Sequence, residues 1–148
     1  MYKTILIATD GSKIAEKALA HGIALGKACE AHVTLVTVSE MWSPLEMAHA
    51  SQLGYTNPIG DYEAEVTAAA KRILDQAGEK AKGQGIKCDL IHVADKRPAE
   101  GIIDAAKRIG ADLIVMGSHG RRGVNRLLLG SQANEVVSLS EIPVLIVR

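Results

Sequence analysis

The sequence predicts an α/β fold, a doubly wound parallel sheet with helices on both faces. Two observations carry that expectation. Five short apolar, β-branched runs (residues 4–8, 33–38, 88–93, 113–116 and 144–147) are mostly continuous rather than alternating, as strands covered on both faces are. Helical periodicity separates each run from the next, giving β-α-β-α-β-α-β-α-β, and parallel strands so connected require right-handed crossovers.

The elements follow in chain order. After the first run, Ser12 is an N-cap candidate for a helix that places Ala15, Ala18, Leu19, Gly22, Ile23 and Gly26 on one face. After the second run, residues 41–61 hold Pro44, Gly54, Pro58 and Gly60 with no clean periodicity and read as a long loop leaving the second strand, either a lid or a plain surface insertion. Val66, Ala69, Ala70, Ile73, Ala77 and Ala81 then mark a second helix that stops near residues 83–85. Pro98 suits the first turn of a third, with Ile102, Ile103 and Ala106 inward and Gly110 as its stop. Ser131 is the expected cap of a fourth, which contains Val136 and Val137 and ends before Pro143. No internal repeat or second domain is visible, so residues 1–148 are expected to form one domain.

Composition narrows the function classes. Lys plus Arg equals Asp plus Glu at 17 each, without the basic excess of a general nucleic-acid binder. No apolar stretch approaches the ~18 residues of a membrane span, and the N-terminus does not resemble a signal peptide. A cytoplasmic protein is the expectation. With no Phe, one Trp and three Tyr, the core must be built from Val, Ile, Leu and Ala.

Chemistry concentrates at two strand ends. The fourth run stops at Gly117-Ser118-His119-Gly120, followed by nine residues and Gly130-Ser131. Glycines admit backbone N–H groups close to a ligand, and the helix start that follows leaves free N–H donors and a partial positive charge, which suits a phosphate. The first run ends Ala8-Thr9-Asp10-Gly11-Ser12. Ligands of open α/β sheets sit outside the carboxyl ends of the strands, where the strand order reverses. If these two strands are neighbours there, Asp10 faces the Gly-rich loop and accepts hydrogen bonds from ribose hydroxyls. Gly117, Gly120 and Gly130 then approach phosphates, helped by the Ser131 hydroxyl, and Val38 is a wall for adenine. Asp10-Gly11 also reads as ordinary turn chemistry.

These motifs resemble the universal stress protein family in its ATP-binding form. The opening Lys3-Thr4-Ile5-Leu6-Ile7-Ala8-Thr9-Asp10-Gly11-Ser12, the Gly117-x-x-Gly120-(nine)-Gly130-Ser131 spacing and the ending Ile142-Pro143-Val144-Leu145-Ile146-Val147 carry the resemblance over the whole chain. It implies a five-stranded sheet in the order 3-2-1-4-5, ATP as ligand with Mg²⁺ as an optional companion, and a homodimer through the last strand. By motif position, it places nucleotide contacts at Ala8, Thr9, Asp10, Val38, Met116, Gly117, His119, Gly120, Gly130, Ser131 and Gln132. Gln132 departs from the small apolar residue common there, although its backbone N–H can still serve. The implied role is a regulator whose nucleotide state signals to a protein partner under stress. The alternatives are a slow Mg²⁺-dependent ATPase or phosphotransferase, at odds with the absent Gly-Lys-Ser/Thr loop, and an interaction module without a nucleotide.

The remaining residues have plainer readings. No acid is placed by sequence to make His119 a general base, so no catalytic residue is assigned. Arg121, Arg122 and Arg126 suit a triphosphate or a solvated loop equally. His21, His32, His49 and His92 lack ligand spacing, so no metal site is expected. Cys29 and Cys88 read as inert buried thiols, and Trp42 and Met47 as residues that either close over adenine or pack in a dimer, with packing preferred. An apolar final strand at a sheet edge invites pairing with a second copy.

Overall fold

A computed structural model describes residues 1–121 and 128–148. Its parallel sheet runs in the order β3-β2-β1-β4-β5, from β1 (Thr4–Ala8), β2 (His32–Val38), β3 (Cys88–Val93), β4 (Leu113–Gly117) and β5 (Val144–Val147). β1 lies between β2 and β4, with Ala8 opposite Val36 and Ile7 opposite Val115. The order therefore reverses between β1 and β4, bringing together the two strand ends singled out above.

Alternation along the strands divides the core into two layers. Ile5, Ile7, Val33, Leu35 and Val115 face α1 (Lys13–Cys29) and α3 (Pro58–Gly83). Leu6, Ala8, Val36, Ile114 and Met116 face α4 (Pro98–Ile109) and α5 (Ser131–Leu139). Eight of these strand residues, Ile5, Leu6, Ile7, Val33, Leu35, Val36, Ile114 and Val115, are fully enclosed, and burying such a side chain contributes roughly 1.5–3 kcal/mol. The α1 face is as expected, with Ala15, Ala18, Leu19, Gly22, Ile23 and Gly26 buried and the Ser12 hydroxyl accepting from the Ala15 N–H at 3.2 Å. α4 ends on left-handed Gly110, also as expected. In α3 the buried set is Ala70, Leu74, Ala77 and Ala81. Leu74 is an addition to the expected face, while Val66, Ala69 and Ile73 are only half-buried.

Two local expectations need correction. Residues 41–61 are not a structureless loop: they hold α2 (Pro44–Gln52) and the first turn of α3. Ser43 and Glu46 form a capping box at the start of α2, and the Asn57 side chain accepts from the Gly60 N–H. Ser131 is not a cap but the first residue of α5; the N-cap is Gly130, in extended conformation and with no side-chain acceptor.

Candidate functional site

The carboxyl ends of β1, β2 and β4 open into a cleft of about 430 Å³, within the range of small-molecule sites. All eleven residues expected at a nucleotide site lie on its wall. On the β2 side, Val36 and Val38 with Pro98 and Ile102 of α4 form an apolar wall. On the β4 side are Gly117, His119, Gly120, Arg121 and the start of α5. Pro98, Ile102, Val36, Ala15, Ala133 and Glu40 were not in the expected set. The helix-start proline and the inward face of α4 were the signals available for the first two. Arg122 and Arg126 lie outside the described residues.

Asp10 joins the two halves. Its Oδ1 accepts from the Ser12 N–H at 2.9 Å, closing a turn in which Gly11 has φ of 77°; at such an angle a side chain would be strained. Its Oδ2 accepts from the Arg121 N–H, also at 2.9 Å, and so ties the β1 turn to the loop after β4. The turn reading of Asp10 therefore holds. Each oxygen keeps further lone-pair capacity towards the cleft.

The glycines are required for packing before any ligand arrives. A Cβ on Gly117 would lie 2.3 Å from Ile14 Cγ2, and one on Gly130 would lie 2.9 Å from the Ser118 carbonyl oxygen. At Gly120 it would sit 3.0 Å from Asp10 Oδ2. The loop is thus pulled hard against α1 and against its own far end, which lets backbone form the wall.

The start of α5 supplies donors. Its first intrahelical bond runs from the Asn134 N–H to the Gly130 carbonyl at 2.9 Å. The N–H groups of Ser131, Gln132 and Ala133 are therefore without intrahelical partners, and no acid lies in the first turn. Gln132 has a further function: its Oε1 accepts from the Ala99 N–H at 3.0 Å, capping α4 from outside where the N-cap residue Arg97 makes no side-chain cap. Arg97 itself pairs with Glu135 at 2.7 Å. These two contacts tie α4 to α5.

Side chains elsewhere are accounted for by structure. His32 meets Asp89 at 2.8 Å and His92 meets Ser39 at 2.7 Å. Trp42 stacks on Tyr62 with ring centroids 4.5 Å apart. Cys29 and Cys88 are free and half-buried rather than fully enclosed, and burial pushes the Cys88 thiol up to about 11, away from nucleophilic character. Among the described residues, no three His, Cys, Asp or Glu side chains converge as metal ligands. No helix among them is long and apolar enough to cross a membrane.

The decisive comparison is with family patterns: residues 1–148 match the model of the universal stress protein family. The chain belongs to the universal stress protein family. Among its relatives, universal stress protein YxiE of Bacillus subtilis is 34% identical over 150 residues, covering all of both chains. The solved structure of MJ0577 from Methanocaldococcus jannaschii superposes with a TM-score of 0.81 at 32% identity, covering 99% of this chain and 96% of that one. A universal stress protein solved in complex with cAMP gives a TM-score of 0.74 at 25% identity, covering 99% and 97%. The β3-β2-β1-β4-β5 sheet is thus the family's fold, in the order that the resemblance implied.

Proposed function

We propose that the cleft binds an adenine nucleotide, with ATP the form it is built for, and that the chain is a cytoplasmic homodimeric regulator whose nucleotide state is read by a protein partner under stress. One observation carries the reading: on the β2 side the cleft has an apolar wall of Val36, Val38, Pro98 and Ile102 alongside Glu40, and on the β4 side it is lined by Arg121 and the uncapped start of α5. That division suits a flat base at one end and an anionic phosphate chain at the other. Asp10 lies between them, where ribose hydroxyls would donate. The cAMP complex of a family member 25% identical supports an adenine nucleotide as the ligand class. Mg²⁺ bound with the nucleotide would rest mainly on phosphate oxygens, because Asp10 is the carboxylate available on that side and both its oxygens already accept backbone N–H groups. Calorimetric titration with ATP and GTP tests the assignment: ATP binds with a stoichiometry of about one per chain and GTP more weakly. Equal affinity for both would contradict an adenine-shaped apolar end.

The dimer is proposed through β5. It is an edge strand, and Leu145 on it, with Val137 and Leu139 on neighbouring α5, are exposed. Edge-to-edge pairing of two copies would satisfy the open strand and cover those side chains in one closed, two-fold contact.

A further inference from the structure

We infer that Ser118 is a positioning residue that holds His119 in the tautomer carrying its proton on Nε2, so that the ring offers the cleft an N–H donor and no free lone pair. The inference rests on the nucleotide reading only for the donor's target, a phosphate oxygen; the tautomer follows from the chain alone.

Ser118 is 2% exposed. Its backbone is fixed on both sides: its N–H donates to the Val147 carbonyl at 2.8 Å, and its carbonyl accepts from the Gly130 N–H at 2.8 Å. Its hydroxyl lies 2.9 Å from His119 Nδ1, and among the described residues this is the hydroxyl's one side-chain hydrogen bond. The pair can be protonated in two ways. If Nδ1 carried the proton and donated to Ser118 Oγ, the buried hydroxyl hydrogen would have no acceptor among the described residues, at the full cost of an unsatisfied donor. If the hydroxyl donates to Nδ1, both groups are satisfied and the imidazole proton must sit on Nε2. The second arrangement is the one the burial selects.

The ring itself belongs to the cleft wall. His119 lines the cleft, and its Cδ2, bonded to Nε2, lies 3.6 Å from where a Cβ on Gly130 would stand. Gly130 is the N-cap of α5. The ring therefore stands beside the start of α5, whose first three N–H groups have no intrahelical partner, and both line the same cleft. With its proton on Nε2, His119 cannot accept a proton there from water or a hydroxyl. It recognises negative charge without moving protons, which suits a protein that retains a nucleotide rather than hydrolysing it.

Long-range ¹H–¹⁵N correlation spectra of the nucleotide-free, full-length protein test this directly, with the His119 signals identified by their loss in His119→Gln. Nε2 is expected at the shift of a protonated ring nitrogen and Nδ1 at that of an unprotonated acceptor; the reverse pattern overturns the inference. In Ser118→Ala, the Nδ1-protonated form should become populated and ATP affinity fall by about tenfold, the order of one hydrogen bond to a charged group. Ser118→Thr, which keeps the hydroxyl, should restore both. A Ser118→Ala protein with wild-type tautomer and affinity would remove Ser118 from its positioning role. If Ser118→Ala does not fold, the wild-type spectrum still decides. An Nε2-protonated His119 in a protein that binds no ATP would sustain the Ser118 contact and overturn the nucleotide reading.

Discussion

Gly117→Ala separates the two reasons a glycine can be required beside a phosphate loop. The added methyl would lie 2.3 Å from Ile14 Cγ2 and 3.3 Å from both the His119 carbonyl oxygen and the Ile14 carbonyl carbon. Carbon atoms pack at about 3.5–4.0 Å, so the side chain of Ile14 must move by more than 1 Å, and the two backbone contacts resist moving the loop instead. Overpacking of this kind costs about 1–3 kcal/mol. For a domain of this size each kcal/mol lowers Tm by roughly 2–4 °C, so a fall of roughly 2–12 °C is expected. Urea unfolding gives the same quantity from the shift in midpoint at unchanged slope. Ile14→Ala removes the clashing Cγ2, and in that background the cost of Gly117→Ala should shrink by ~1 kcal/mol or more, a coupling of the size neighbours show. A Gly117→Ala protein as stable as wild type but unable to bind ATP would refute the packing argument and leave ligand approach as the reason for glycine.

Three further outcomes follow from the geometry. Gln132→Ala removes the outside cap on α4 and should cost ~0.5–2 kcal/mol in a denaturant titration; no loss would mean the Ala99 N–H finds water instead. The Asp112 carboxylate is held below the usual range, first because the Lys3 N–H donates to it and then because the Thr4 N–H does. A depressed folded value means the stabilisation is full above the unfolded carboxylate pKa of ~3.9 and is lost as pH falls through the folded one. Urea midpoints measured between about pH 5 and pH 2 should therefore fall less steeply in Asp112→Asn than in wild type, and identical slopes would deny Asp112 that role. Leu145→Lys puts a charge on the β5 edge and should give monomers by sedimentation; a dimer that persists would place the interface elsewhere.

Much of the fold was legible because its strands are buried on both faces and its α1 and α4 stripes are unbroken. Short apolar runs such as Leu113–Ile114–Val115, bounded by turn signals, read as buried strands, and the residues expected inward on α1 are those found buried. Residues 41–61 were opaque for the converse reason. α2 buries only Ala50, so it carries no apolar stripe, and its evidence was confined to Ser43, Pro44 and Glu46 at one end. A capping box without periodicity is easily read as loop. At the cleft, strand-end position and spacing pointed to residues from three separate segments, because the sheet order itself gathers those ends. The spacing said nothing of Ser118, whose contact with the adjacent ring depends on a buried hydroxyl. Nor did it disclose that Gln132 acts through its side chain on Ala99, since that contact spans two helices.

The most direct test of the central claim is mass spectrometry of the small molecule released when the purified protein is heat-denatured. Intact ATP at close to one per chain is the expected result. ADP or AMP in its place would restore slow hydrolysis as the activity. No nucleotide released, together with no binding when ATP is added, would contradict the account and leave the glycine loop a purely structural device.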